Sequence, residues 1–385
     1  MARNRVIYQS EGLYVNNVAS SGSAVSAEQL ARVQSANYSF TINRQDVNQY
    51  GDLARIDSLV LDPPTVNLDF SYYLTDGFNE RALGFFVQHT GAKANSQRFA
   101  NADASASGNF ASGQLTAGSG VNFYIATSPA GDDLNQGTPA ALDGNDTVIG
   151  LGNAYLTDYS VEMSVGSLPT VSVSAEASNV NSTTTAVGFE NPAVDQEAGT
   201  KFVNAVTLPN PNISGGLGGG GAAAITALRP GDITLSLSAL QSDSLVKIDG
   251  ADGAHIQSAS ISIPLSRSPI DKLGSRFPFA REVDFPVSCT FSVSAVVSEV
   301  QAKNLADILD YGESEASLTI NDQQSSPDAA VRYTLKGLKI DSQSFSSSIG
   351  SNKSVDLTFS TQIGGPNDIA NGVFMSGVGI NPVFV

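Results

Sequence analysis

The sequence predicts a mainly β protein made of two tandem, similar domains, each with one short helix and long loops. Three observations carry this. Arg32-Val-Gln-Ser-Ala-Asn-Tyr-Ser-Phe-Thr-Ile-Asn-Arg44 returns 223 residues later as His255-Ile-Gln-Ser-Ala-Ser-Ile-Ser-Ile-Pro-Leu-Ser-Arg267, pairing Val33/Ile256, Gln34/Gln257, Ser35/Ser258, Ala36/Ala259, Ser39/Ser262, Ile42/Leu265 and Arg44/Arg267 without a gap. Thr147 to Ala177 aligns without gaps onto Val331 to Thr361. Between the copies runs Leu208-Pro-Asn-Pro-Asn-Ile-Ser-Gly-Gly-Leu-Gly-Gly-Gly-Gly-Ala-Ala-Ala, too rich in Gly and Pro for a packed element. The expected boundaries are a first domain over 1–200, a linker over 201–232, and a second domain with a C-terminal tail over 233–385.

Along the chain, Arg5 to Val15 is aromatic and β-branched and reads as a strand or short hairpin. Asn16 to Ser26 is a polar loop. The repeated strand then sets Val33, Ser35, Asn37, Ser39 and Thr41 on one face and Tyr38, Phe40 and Ile42 on the other. Arg44 to Pro64 is a long polar excursion carrying Asp46, Asp52, Asp57 and Asp62 against Arg44 and Arg55, a length usual for functional or partner-bound loops. Val66, Leu68, Phe70 and Tyr72 alternate with polar residues as a half-buried strand, and Val287, Cys289, Phe291 and Val293 take those places in the second copy.

Asp76 to His89 places Phe78, Leu83, Phe86 and Val87 near helical spacing after an Asp that caps it; Glu299 to Leu309 is its counterpart. Thr90 to Gly120, a Gly/Ser/Ala/Asn tract absent from the second copy, reads as a surface loop. Val121 to Ala126 matches Ala316 to Asn321. Each copy closes on a β-hairpin whose turn carries Gly166 or Gly350, as a tight reversal requires. Ile233 to Ser238 and Leu245 to Asp249 supply an entry hairpin for the second domain, and the Gly-rich tail from Gly364 to Val385 is expected to dock on a neighbouring surface.

Apolar residues make up 41% of the 385, enough for true cores, and only 15% are charged. Against 37 Asp and Glu stand 20 Lys and Arg, a net charge of -17, opposite to the basic footprint of a phosphate-gripping protein. Asn101 to Thr200 holds eleven acids and no Lys or Arg, so one repeat is strongly negative. Cys289 lies alone in an alternating apolar segment, which excludes intramolecular disulfides and Cys-based zinc sites. The N-terminal residues hold no apolar core of signal-peptide length and no run approaches the roughly 18 apolar residues of a membrane helix. Use in the cytoplasm, or exit without a Sec signal, is expected.

Catalytic chemistry needs converging acids, bases or nucleophiles. His89 and His255 stand in different copies without a Ser or Asp constellation and read as structural. Gly216 to Gly221 lacks the Gly-Lys-Ser/Thr ending of a phosphate loop. Ile248 to Gly253 and Leu142 to Asp146 resemble fragments of calcium loops but lack the closing bidentate Glu, and read as Asp-Gly turns. Asn37-Tyr-Ser and Asn181-Ser-Thr fit a glycosylation sequon that carries little weight without a secretory signal. No enzyme, cofactor or metal is predicted.

The opening Arg5-Val-Ile-Tyr-Gln-Ser-Glu-Gly-Leu-Tyr-Val15, the strand Val33-Gln-Ser-Ala-Asn-Tyr-Ser-Phe40 and the paired hairpins Val165-Gly-Ser167 and Ile349-Gly-Ser351 resemble tail tube (major tail) proteins of tailed bacteriophages. The resemblance covers most of both repeats and rests on strand patterns. It implies small barrel-forming β-sandwich domains, six to a ring, closing a continuous 24-stranded barrel whose rings stack into a hollow tube. Two domains per chain then imply three chains per ring. Such a barrel, at roughly 4.8 Å between strands and about 40° tilt, is about 48 Å across its backbone, wide enough for duplex DNA.

The resemblance further implies a virion structural protein, assembled in the host cytoplasm, whose partners are other copies of itself, the tape measure, terminator and baseplate proteins and a sheath where one exists. DNA passes through without specific binding, which an anionic lining favours; Asp69 and Glu162 are the lumen candidates. The excursion Arg44 to Pro64 and its counterpart Arg267 to Pro286 look like the arm that reaches an adjacent ring, with Arg44, Asp46, Asp52, Asp57, Arg267, Asp271 and Arg276 as contact candidates. The second arm is slightly basic, setting Arg267, Lys272, Arg276 and Arg281 against Asp271, Glu282 and Asp284. The alternative class is a binding module: a virion decoration, a baseplate or fibre-associated protein, or an adhesin, of which the last would need an export signal. A capsid protein would show a long spine helix, and a polysaccharide lyase aromatic clefts; there is no Trp.

Overall fold

A computed structural model describes residues 11–17, 27–61, 63–89, 109–115, 120–129, 134, 146–185, 188–209, 228–236, 244–246, 255–274, 277–297, 300, 304–308, 312–321, 329–348, 350 and 352–377, and every structural statement concerns these. The first repeat comprises β1 (Glu11–Asn17), β2 (Glu28–Gln29), β3 (Val33–Thr41), β4 (Arg44–Val47), β5 (Asp57–Val60), β6 (Thr65–Tyr73), α1 (Phe78–Ala82), β7 (Val87–His89), α2 (Ser112–Leu115), β8 (Val121–Thr127), β9 (Thr147–Ser164), β10 (Thr170–Ala177) and β11 (Asn179–Thr183). Two short pairs follow, β12 (Phe189–Glu190) with β15 (Ala205–Val206) and β13 (Val194–Asp195) with β14 (Thr200–Lys201). The second repeat comprises β16 (Ile233–Ser236), β17 (His255–Pro264), β18 (Arg267–Ile270), β19 (Ala280–Val283), β20 (Val287–Val296), α3 (Leu305–Ile308), β21 (Ser314–Asn321), β22 (Ala329–Ser346), β23 (Ser354–Ile363) and β24 (Gly372–Gly377).

The architecture is mainly β, as predicted, and its frame is one antiparallel run of strands in the order β3-β6-β10-β9-β17-β20-β23-β22. Four strands of one repeat are followed by the same four of the other, in the same order. The sheet is open, with β3 and the second half of β22 at its edges. The first halves of β9 and β22 leave it to form a second layer, β9 with β8 and β11, β22 with β21 and β24. Alternation places Val66, Leu68, Phe70 and Tyr72 of β6, and Val287, Cys289, Phe291 and Val293 of β20, in the core between the layers.

The duplication extends to the irregularities. β9 bulges at Thr157 and β22 at Asp341, its counterpart 184 residues on, and β3 and β17 bulge at Gln34 and Gln257. Asn153 and Gly337, again 184 apart, both adopt a left-handed backbone, φ 50 and 67. In the repeated hairpins Gly166 and Gly350 have φ 88 and 91.

Expectations are corrected on four counts, the first being register, at two places. Ala36 faces Phe70 while Ala259 faces Val293, so Phe70 corresponds to Val293 rather than to Phe291. Likewise Ile125 corresponds to Leu318 rather than to Ile320, because Ile149 and Tyr333 are their equivalent partners. Both slips are of two residues, which keeps every side chain on its face. The helix after Asp76 is only α1: its N-cap is Gly77, while Asp76, one residue earlier, accepts at Oδ1 from the Phe78 N–H at 3.2 Å, and Gly84, at φ 96, turns the chain into β7, which ends at His89.

Third, the Gly/Ser tract is not all surface loop. Asn109 to Leu115 plugs the junction of the two repeats, where Phe110 is wholly buried between Phe85, Tyr159 and Tyr333. Asn109 Nδ2 donates to the Gly365 and Asp368 carbonyls, and Ser112 Oγ to that of Pro366. Fourth, Val206 and Leu208 are buried in a cluster with Tyr14, Tyr124 and Phe189, so the chain packs on the first repeat past residue 200 and through Leu208. The Gly-rich residues 210–227, like Ile248 to Gly253, lie outside the described residues. As far as Gly377 the tail packs within its own chain: β24 lies between β22 and β7, parallel to the latter, and residues 378–385 lie outside the described residues.

Candidate assembly site

The seam between the repeats is built from β9 and β17. β-branched and aliphatic residues at alternate positions make both strands, and their registers pair Ile261 with Val161 and Ile263 with Tyr159. Beyond the paired residues the seam continues through Leu265 N–H to the Thr157 carbonyl and Val165 N–H to that of Gln257, both 2.9 Å. Ile261, Ile263 and Leu265 are completely buried there.

Behind the seam a polar cluster crosses the core. Glu80 of α1 accepts at Oε1 from the Tyr72 hydroxyl at 2.9 Å and the Tyr159 hydroxyl at 3.3 Å, and the Tyr159 and Tyr333 hydroxyls are 3.0 Å apart. Glu80 Oε2 has no hydrogen-bond partner. Burial pushes the Glu80 carboxyl up to about 7, with the Asp76 carboxyl adding to it and the two phenol donors opposing it. Burial also lifts the three phenols well above their ordinary value, so they stay neutral donors.

The second arm, β18 and β19, is fastened across the same seam. Arg281, nearly buried, pairs with Glu176 at 2.7 Å, and Arg267 and Arg281 both stack over the Tyr155 ring, 4.9 and 5.7 Å from its centroid. Arg267 also donates to the Gln114 carbonyl, and Lys272 to that of Glu197. Arg267 is therefore a junction residue at the base of the arm, not a contact at its tip. Asp271 is exposed farther out, and Arg276 lies outside the described residues.

The first arm, β4 and β5, is exposed except at Ser58, which is half-buried. Arg44 opens it facing solvent; Asp46 pairs with Arg55 at 3.0 Å, Asp52 accepts from Gln49, and Asp57 Oδ1 takes the Ser58 N–H at 2.7 Å. These acids serve the hairpin itself, and the structure does not bring them together with the second arm's residues. Beyond them, Tyr50 and Leu53 are fully exposed, as is Leu273 on the second arm.

The outer face of the eight-stranded sheet is polar. A row Ser35-Ser71-Ser172-Ser160-Ser262-Thr290-Ser360-Lys339 crosses all eight strands. Asp69 and Glu162 both stand on this face, exposed, in the rows on either side; Asp69 accepts from Ser174 Oγ at 2.6 Å. Asp158 and Asp356 share the face. Among the described residues no three His, Cys, Asp or Glu side chains are gathered as a metal site, and no helix is long and apolar enough to cross a membrane. His255 begins β17 at the surface, paired with Val296.

Sequence reasoning missed Glu80 and its tyrosines. Their signal was faint: a Glu inside the apolar stretch from Phe78 to Val87, and hydroxyl-bearing aromatics at core positions of three strands. No family model matches the chain, and no curated protein matches its sequence.

Proposed function

We propose that the chain is a structural virion protein of bacteriophage tail-tube type, three copies of which close a ring of six repeats that stacks into a DNA-conducting tube. The observation that carries this is the continuous sheet: two repeats already stand edge to edge, four strands each, with one strand order and one set of irregularities. A head-to-tail contact reapplied between chains generates a ring when its rotation closes. Six such repeats supply 24 strands.

The polar face supports the lumen assignment. Its hydroxyl rows carry Asp69, Asp158, Glu162 and Asp356, which repel phosphates and, being anionic, displace none of a nucleic acid's counterions. The apolar tips at Tyr50, Leu53 and Leu273 suit contacts between stacked rings. Negative-stain electron microscopy with mass analysis tests the reading. Rings with a central hole and the mass of three chains are expected; a monomer at every concentration and salt would overturn it and favour a decoration or baseplate role.

A further inference from the structure

β3 is the first repeat's copy of β17, yet the two strands meet opposite fates. Ile261, Ile263 and Leu265 are 0% exposed under β9, whereas their counterparts Tyr38, Phe40 and Ile42 are 41%, 57% and 40% exposed. Beside β3 a groove of about 260 Å³ opens against Leu13, Val33 and Ile125. The equivalent groove of the second repeat, against Leu235, Ile256 and Leu318, is about 120 Å³, and Met163 and Val165 of the first repeat form part of its wall. At the opposite end of the sheet, β22 past Asp341 pairs with β23 alone among the described residues, and Phe345, the counterpart of Val161, is 41% exposed.

We infer that the exposed edge of β3 and its groove receive residues 342–348 of a second copy of this chain, antiparallel, in the register that joins β9 to β17. An unpaired edge offers its N–H and C=O row for such strand addition. The registers Ser262 to Ser160, Ile261 to Val161 and Ser260 to Glu162, carried over by the repeat offsets, set Ser39 opposite Ser344, Tyr38 opposite Phe345 and Asn37 opposite Ser346. An aromatic pair thereby replaces an aliphatic one at the centre of the seam.

The two seams are unequal. Where β9 presents Tyr159 and Met163, β22 and its extension present Gln343 and Ser347. Tyr155 and Glu176, which fasten the second arm, are replaced by Lys339 and Ser360, and Arg281 by Ser58 on the first arm. The seam between chains is the weaker one, so an assembly comes apart into whole chains with each internal seam intact.

The closure of the series at three copies rests on the ring reading; the register does not. Directly opposite residues of an antiparallel pair have Cα atoms about 4.5–5.5 Å apart, inside the disulfide range, and a two-residue offset takes them beyond about 7 Å. Cys289 is buried, and burial pushes its thiol up to about 12, so it stays silent in the experiment.

The full-length double variant Ser39→Cys/Ser344→Cys, oxidised and run without reductant, is expected to give covalent dimer and trimer and nothing larger, at least tenfold faster than Ser39→Cys/Ser346→Cys. Mixing the two single variants S39C and S344C is expected to give the heterodimer. Equal rates for both pairs, or no linked species, would overturn the register even where microscopy shows rings. A ladder continuing past trimer would uphold the register and refute the three-chain ring.

Discussion

Glu80 makes the stability of this fold depend on pH in a direction opposite to that of most surface carboxylates. Its side chain is fully buried, takes two phenol hydrogen bonds on one oxygen and leaves the other unpartnered. The titratable groups facing it are Tyr72 of β6, Tyr159 of β9, Tyr333 of β22 and, at the head of its own helix, Asp76. The folded chain holds the Glu80 proton up to about pH 7, while the unfolded chain releases it near 4.5. The stability contributed by the neutral acid is therefore complete below pH 4.5, falls as pH rises through that window and is gone above about 7. At 1.36 kcal/mol per pH unit the window is worth about 3 kcal/mol.

Glu80→Gln keeps the shape and an acceptor for the tyrosines but cannot ionise. It is expected to be less stable than the parent at pH 5, since its amide N–H groups take the place of the unpartnered oxygen, and to lack the parent's pH slope. Urea unfolding of both proteins at half-unit steps from pH 4.5 to 8 measures the difference of the two curves, which cancels the other carboxylates. A difference that closes by about 3 kcal/mol over this range is expected. Curves that run parallel to within about 0.5 kcal/mol would show that the folded chain ionises Glu80 without penalty, and the argument from burial would fail.

Phe110→Ala is expected to cost about 3–5 kcal/mol in chemical denaturation, as for a core aromatic, whereas a true surface loop position would change by less than about 0.5. Arg281→Met is expected to cost about 2 kcal/mol, less than a fully buried pair because Glu176 is one-third exposed; pairing it with Glu176→Gln in a double-mutant cycle should return a coupling energy of at least about 1 kcal/mol. Phe40→Ser should leave monomer stability within about 0.5 kcal/mol of the parent, since the ring is already wet, yet reduce assembly seen by sedimentation at least tenfold.

Strand faces were legible where polar and apolar residues alternate: Tyr38, Phe40 and Ile42 were separable from Ser35, Asn37 and Ser39 by inspection. Val33, expected on the Ser35 face, packs against the core instead, because the bulge at Gln34 sets Val33 opposite Tyr72 and Ser35 opposite Ser71. Register was not. A period of two makes Phe70 match Phe291 or Val293 equally well, and only pairing with Ala36 and Ala259 decides between them. Composition misled at Asn109 to Leu115, where small and polar residues looked solvated but reach the carbonyls of Gly365, Pro366 and Asp368 more than 250 positions away. The arm residues were read as one class, yet Arg267 is spent at the seam while Arg44, its repeat counterpart, faces solvent.

By itself the sequence determined that the chain contains one unit twice, that the unit is β, and which face of each strand is greasy, because local alternation and self-similarity are properties of nearby residues. Which copy covers the other was decided only by tertiary structure. Leu265 and Ile42 are near-equivalent letters in equivalent strands; one is buried because β9 of the other repeat stands beside it, and the other is exposed because, among the described residues, no strand pairs with that edge of β3.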